Sequence, residues 1–374
     1  MKIVGAVLEE TGHRSPYAVS APLRLRELDL DPPGAHEVLV RMEVAGLCHS
    51  DLSVIDGNRP RPLPMLLGHE AAGIVEECGE LVAGIDPGDR VVMTFLPRCG
   101  ECAACATGGR RPCQPGSAAN GRGELLAGGR RVHRDGMRIH HHLGVSAFSE
   151  YVTVSRRSLV KVDKELRPEH AALFGCAVLT GVGAVVNTAK ISAGSTVSVV
   201  GLGGVGLASL LGAIAAGAST IVAVDLSDER LGFARELGAT HAFNAKDPDC
   251  VDAIRSVTGG GTDFAFELAG SVRAMETAYK ITRRGGTTVT AGLPPPDAMF
   301  SFPQVGLVAE ERTVKGSYIG ACVPVRDIPR YVSLFQRGRL PVDRLLSSTL
   351  GLDEINSGFD RLQEGSAIRQ VVLF

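Results

Sequence analysis

The sequence predicts an α/β plus β fold, with a mainly β part joined to a doubly wound parallel sheet. Three observations carry this. At 374 residues the chain exceeds the size at which one core stops growing, so about two domains are expected. The first 175 residues or so hold short apolar runs separated by Gly/Pro turns. After about Thr180, strand-like and helix-like patterns alternate at βαβ spacing with short links.

Taken in order, strands are expected at 2–7, 37–44, 73–78, 90–95 and 151–154, with firm turn signals at 32–34 and 86–89. Residues 108–143 are rich in Gly and Arg and read as a surface loop. The second part alternates strands at 196–200, 220–225, 240–243, 263–268 and 287–291 with helices at 205–216, 228–237, 251–258 and 272–281. From Val314 the pattern returns to mixed strand and helix and ends in a strand at 370–374.

Apolar residues at 44% and charged residues at 21% are ordinary for a globular chain. A net charge of −2 gives no electrostatic reason to expect nucleic acid or a membrane as partner. The basic spots Arg110-Arg111, Arg130-Arg131 and Arg283-Arg284 lack interleaved aromatics and read as solvated faces. The N-terminus has no apolar core of signal-peptide length. The uncharged stretch 191–224 is long enough to span a bilayer, but glycines and serines break it into a βαβ pattern. The expectation is a cytoplasmic protein, where nine cysteines stay reduced.

Ser198 to Gly206 contains G-x-G-x-x-G at Gly201, Gly203 and Gly206, after an apolar strand and at the opening of a helix. In that context Gly201 permits the tight turn, Gly203 lets backbone approach a pyrophosphate, and Gly206 allows close helix–strand packing. The helix N-terminus, with Gly204 and Val205, offers N–H groups and a positive dipole end. Nineteen residues past Gly206, the next strand ends in Asp225. A carboxylate there accepts from the adenosine ribose and repels a 2′-phosphate, which favours NAD over NADP; a plain helix cap is the other reading. Arg230 could contact the ribose or tolerate some NADP.

Cys99, Cys102, Cys105 and Cys113 lie within fifteen residues. Four thiolates suit a closed, tetrahedral structural zinc site, with an iron–sulfur cluster or free thiols as alternatives. Elsewhere Cys48, His69 and Cys176 form a two-sulfur, one-nitrogen set, which would leave an open position for an alcohol or water. Spacing alone leaves these three open between ligands and buried core residues.

With those residues in view, the chain resembles the zinc-dependent medium-chain alcohol dehydrogenases over nearly its whole length. The motifs are Gly46-Leu47-Cys48-His49-Ser50-Asp51, Gly68-His69-Glu70-Ala71-Ala72-Gly73, the four clustered cysteines, Gly175-Cys176, the Gly201 to Gly206 loop, Asp225 and Ile368-Arg369. The resemblance implies a discontinuous GroES-like catalytic domain, 1–177 and 319–374, with a Rossmann NAD-binding domain inserted at 178–318. It implies two zinc ions per chain, a catalytic one on Cys48, His69 and Cys176 and a structural one on the four cysteines. Asp51 would orient His69, Glu70 would sit close by, and Ser50 would take the alcohol proton. His49 and Arg369 would contact the pyrophosphate, and Thr180 and Val205 would pack near the nicotinamide.

Hydride transfer between a primary alcohol, bulky and apolar or aromatic, and NAD is the activity implied. Phe95, Leu143, Leu293 and Tyr318 match the pocket wall, Arg59 its mouth, and His142 could face the channel. The segment 113–148 resembles the insertion of the dimeric branch, so a homodimer is expected. One departure matters: the family relay ends in a histidine where this chain has Ser53. A thiol-dependent formaldehyde dehydrogenase of the same family is an alternative, although its arginine is missing at Ser117. A non-catalytic dinucleotide-binding protein and a zinc-free enoyl reductase are others, but neither has a use for the ligand set.

Overall fold

In the computed structural model, which describes residues 1–109 and 111–374, strand Glu37–Gly46 is the centre of the first sheet. Its sequence alternates, so Val38, Val40, Met42 and Val44 point into the core while Arg41 faces solvent. Strand Glu70–Cys78 pairs along one edge in antiparallel register, with Gly46 opposite Glu70. Tyr151–Ser155 and Arg369–Leu373 share the other edge. The C-terminal strand is thereby stitched beside the first motif of the chain. Arg90–Met93, Leu159–Lys161 and Leu346–Leu350 complete seven strands.

This sheet belongs to a compact unit of Met1–Cys176, Val323–Val332 and Asp343–Phe374. A closed barrel in the same unit is built from Lys2–Leu8, Leu23–Leu30, Val132–Arg134, Met137–His141 and Met65–Leu66. Phe148 and Phe359 meet edge to face at 6.1 Å in the core, which ties helix Ile355–Glu364 to the segment that precedes strand Tyr151–Ser155.

The expected surface loop at 108–143 is more ordered than its composition suggests. Helix Gln114–Arg122 ends on Gly123 in the left-handed region. Asp135 and Gly136, at φ 51° and 78°, form a two-residue hairpin between Arg134 and Met137, and that hairpin closes the barrel. Arg110 lies outside the described residues.

The second unit, Ala177–Cys322 with Ser333–Val342, holds six parallel strands. These are Thr196–Val200, Thr220–Asp225, His241–Asn244, Thr262–Glu267, Thr282–Thr290 and Thr313–Gly316. Their spatial order is third, second, first, fourth, fifth, sixth, the Rossmann arrangement. The uncharged stretch 191–224 is the opening strand–helix–strand of this sheet. Among the described residues, no helix is long and apolar enough to cross a membrane.

His141, in the barrel, is buried and neutral. Its Nε2 accepts from the Arg131 N–H at 3.0 Å, which leaves Nδ1 to face the Ser146 hydroxyl at 3.2 Å as donor. Burial, reinforced by Arg131 and Arg130, pushes its pKa down to about 3 from 6.5. The unfolded chain takes up a proton that the native state refuses. This contribution is therefore complete above pH 6.5 and is lost as the pH falls towards 3. Unfolding free energies measured across that range should fall by up to about 1.4 kcal/mol per pH unit from this group. In His141→Asn the slope should be shallower by about one proton; an unchanged slope would contradict the assignment.

Candidate active site and metal centres

Three segments deliver the first ligand set. The chain leaves strand Glu37–Gly46 and, two residues on, presents Cys48 at the N-terminus of helix His49–Ile55. His69 precedes the neighbouring strand, and Cys176 follows helix Pro168–Leu173. Glycines make both approaches possible. A Cβ on Gly68, at φ 93°, would sit 2.7 Å from the Phe148 nitrogen, and one on Gly175 would sit 2.3 Å from the Met93 carbonyl oxygen. The ligand atoms of Cys48, His69 and Cys176 all lie within 4.8 Å of one another, and all three residues are buried. Cys176 Sγ is 3.5 Å from His69 Nε2.

Charge around this set is fixed from two sides. Asp51 Oδ1 lies 3.1 Å from His69 Nδ1 and accepts the Gly68 N–H at 3.1 Å. On the other side Glu70 and Arg369 form a buried ion pair. The Cys176 thiol, hydrogen-bonded to Cys48, holds the Cys48 pKa well below the ordinary thiol range against the cost of burial, with help from the His69 charge. The same hydrogen bond, with burial, pushes Cys176 up. Burial pulls the His69 ring down, but the Asp51 and Cys48 charges outweigh it and raise the ring overall. A buried thiolate beside an imidazole and a second thiol is a donor set that a divalent, thiophilic cation satisfies. Zinc fits these residues.

The four clustered cysteines converge as well, with all sulfurs within 4.8 Å. Backbone amides point at the sulfurs: Cys99 N–H and Gly116 N–H to Cys113 Sγ at 3.3 and 3.4 Å, and Cys102 N–H to Cys99 Sγ at 3.3 Å. Backbone donors from Cys105 and Gln114 lower the Cys102 pKa to about 6, while burial raises that of Cys113 to about 12. Four protein ligands leave no open coordination position.

The glycine-rich loop opens helix Gly204–Ala215. Gly201 sits at φ 94° with Ala269 so close that a Cβ would meet its nitrogen at 2.7 Å. A Cβ on Gly206 would meet the Gly201 carbonyl oxygen at 1.8 Å, whereas one on Gly203 would point into open space. That is the division of labour a pyrophosphate loop needs. Asp225 accepts from Leu202 N–H at 2.7 Å and Ser227 N–H at 3.0 Å. Arg230 lies half-buried in the first turn of helix Asp228–Leu237, and Val205 and Thr180 are helical.

The remaining predicted residues divide. Phe95 packs edge-on against the His69 ring at 5.8 Å, and His142 does the same at 5.4 Å. Leu143 is buried beside His142, and Arg59 is half-buried beyond helix His49–Ile55. Leu293 and Tyr318 belong to the second unit and are exposed on it. His49 is exposed, whereas Arg369 is buried against Glu70. Ser53 donates its hydroxyl to the His49 carbonyl at 2.8 Å. Sequence reading did not find His142 on the Asp51 carboxylate, where its Nδ1 lies 3.0 Å from Oδ1.

Comparison with known proteins gives the family. Residues 204–337 match the zinc-binding dehydrogenase family, and residues 34–164 match the alcohol dehydrogenase GroES-like domain. An alcohol dehydrogenase zinc-binding domain protein from Burkholderia ambifaria shares 36% identity at a TM-score of 0.93, covering 100% of this chain and 99% of that one. The chain belongs to the zinc-dependent medium-chain alcohol dehydrogenase family. Benzyl alcohol dehydrogenase from Acinetobacter calcoaceticus shares 33% identity at a TM-score of 0.92, with 100% and 99% of the two chains covered. A Sinorhizobium meliloti structure described as a zinc-binding dehydrogenase bound to NADP shares 27% at 0.79, with both chains fully covered.

Removing one member of the Glu70–Arg369 pair strands a buried charge. Arg369→Met should lower the unfolding free energy by about 3–5 kcal/mol. Glu70→Gln combined with it should cost less than the two single losses together, as read by urea denaturation. Simple additivity would show that the two side chains are not coupled.

Proposed function

We propose that this member of the family is an NAD-dependent, two-zinc enzyme interconverting a primary, bulky apolar or aromatic alcohol and its aldehyde. The observation that carries the reading is the buried convergence of Cys48, His69 and Cys176. These residues would hold the catalytic ion, which when bound acts as a Lewis acid that lowers the pKa of a bound alcohol. Asp51 at Nδ1 keeps the opposite nitrogen of His69 directed at the sulfurs. Cys99, Cys102, Cys105 and Cys113 would hold the second, structural ion and tie down a glycine-rich segment with little apolar area of its own.

The dinucleotide supplies the hydride acceptor. Gly201, Gly203, Gly204, Val205 and Gly206 would receive its pyrophosphate, with Thr180 of the same unit packing near the nicotinamide. Asp225 supports NAD: each of its oxygens already takes one N–H, retains a further lone pair for a ribose hydroxyl, and would repel a 2′-phosphate. Ser50 takes the alcohol proton. Beyond it position 53 is a serine rather than a histidine, and its hydroxyl donates to the His49 carbonyl.

Phe95 against the His69 ring, with Leu143 nearby, supports an apolar substrate, as does the 33% identity to a benzyl alcohol dehydrogenase. The serine at position 117 speaks against a thiol–formaldehyde adduct. Strand Thr313–Gly316 is an exposed edge of the Rossmann sheet, and Val305 and Val308, on the helix Gln304–Ala309 that precedes it in the chain, are also exposed. An uncovered edge with apolar neighbours supports a homodimer, twice the 39.2 kDa chain in sedimentation.

Metal analysis should find two zinc ions per chain, and Cys48→Ala should lose one of them. That variant should also lose turnover while NADH binding stays near normal; continued alcohol oxidation would overturn the site. kcat/KM should favour benzyl alcohol and hexanol over ethanol and over a thiol–formaldehyde adduct. NAD should be preferred to NADP, and Asp225→Ser should narrow that preference by about 10-fold or more. Where proton release limits turnover, imidazole buffer should accelerate it, and indifference to buffer at every pH would exclude the truncated relay.

A further inference from the structure

Asp51 carries more than one imidazole. Its Oδ1 lies 3.1 Å from His69 Nδ1, 3.1 Å from the Gly68 nitrogen and 3.0 Å from His142 Nδ1, the last approaching off the ideal donor direction. Its Oδ2 has no hydrogen-bond partner among the described residues. All three side chains are buried, and their ligand-type atoms lie within 4.8 Å of one another.

The backbone invests in bringing His142 there. Leu143 and Ser146, neither of them glycine, adopt φ values of 53° and 61°. Such conformations are unfavourable for residues with a side chain and persist where the surroundings over-determine them. In the resulting turn the His142 N–H donates to Ser146 Oγ at 3.0 Å, and the Ser146 N–H returns to the His142 carbonyl at 3.2 Å. Phe95 and His142 both stand nearly perpendicular to the His69 ring.

A carboxylate held only by His69 and one amide could swing its free oxygen towards either donor. A second imidazole on the same oxygen removes that freedom. The His69 ring is then fixed at Nδ1 by a carboxylate that cannot rotate away, and its other nitrogen stays on the cysteine sulfurs.

We propose that His142 is a positioning residue of the metal site: acting through Asp51 and His69, it governs how slowly the site releases its ion. The inference rests on Cys48, His69 and Cys176 being zinc ligands. It requires a hydrogen-bond donor at the place of His142 Nδ1, beyond a ring of the right volume.

The test is zinc release from the holoenzyme into excess chromophoric chelator. The kinetic phase missing from Cys48→Ala is the Cys48 site, and the remaining phase is the four-cysteine site. His142→Phe keeps an aromatic ring and removes the donor, and it should speed the first phase by about 10- to 100-fold while leaving the second unchanged. His142→Asn, whose amide nitrogen can stand in for Nδ1, should return the first phase close to the parent rate. Parent-like release from His142→Phe, equal acceleration of both phases, or no rescue by His142→Asn would overturn the inference. If the parent and Cys48→Ala release zinc with the same phases, the ligand assignment itself fails and this inference falls with it.

Discussion

The catalytic unit depends on a missing side chain at Gly46. A Cβ there would lie 2.7 Å from Glu70 Oε1. Without it, the Glu70 carboxylate fits beside the end of the central strand and meets Arg369, which opens the C-terminal strand on the opposite edge. A carboxylate and a guanidinium that deep are tolerable only together, because either charge alone would face several kcal/mol of desolvation. The pair therefore fastens the last strand of the chain to its first motif. Cys48 begins its helix two residues beyond Gly46, so the same constraint places the sulfur beside His69.

The two cysteine groups show opposite ways of preparing thiolates. At Cys99, Cys102, Cys105 and Cys113, local turns aim backbone amides at sulfur, and the segment needs little from the rest of the fold. At Cys48, His69 and Cys176 the donors come from segments far apart in sequence, and the electrostatics are supplied by Asp51, Glu70 and Arg369. One group is a local motif with a charge environment made by amides. The other is a product of sheet register.

That difference explains what could be read from the sequence. The four-cysteine spacing and the glycine loop are local, and the limits of strands Thr196–Val200 and Thr220–Asp225 and of helices Asp228–Leu237 and Val272–Ile281 follow from periodicity. The three-residue set was open until the family motifs joined it. Strand Leu23–Leu30 was missed because Leu28 and Leu30 are buried on one face and Leu23 on the other, with arginines and acids between them, so no clean alternation shows. The hairpin at Asp135-Gly136 carried a standard turn signal inside a segment whose composition suggested a loop. The place of His142 was not legible. Neighbouring histidines on one short stretch went to three environments: His140 to the Arg122 carbonyl, His141 to the barrel interior and His142 to Asp51. The left-handed turn after the strand decides this, and although Gly144 sits in it at φ 68°, Leu143 and Ser146 take the same region without the glycine that would have announced them.

In the second unit the glycine loop and Asp225, the acid proposed to read the ribose, are one structure. Asp225 Oδ2 accepts the Leu202 N–H from inside the loop at 2.7 Å, and Gly201 N–H donates to the Val224 carbonyl one residue earlier. Changing the acid thus alters both the charge a 2′-phosphate would meet and the anchor that holds the loop between Gly201 and Gly203. Gly203 leaves open space while Gly201 and Gly206 leave none, so the phosphate loop has little slack to absorb such a change. If Asp225 sets cofactor choice as proposed, that choice is coupled to loop geometry, and a loss of NAD preference brought about at Asp225 should not be separable from a loss of affinity for the pyrophosphate that both cofactors share.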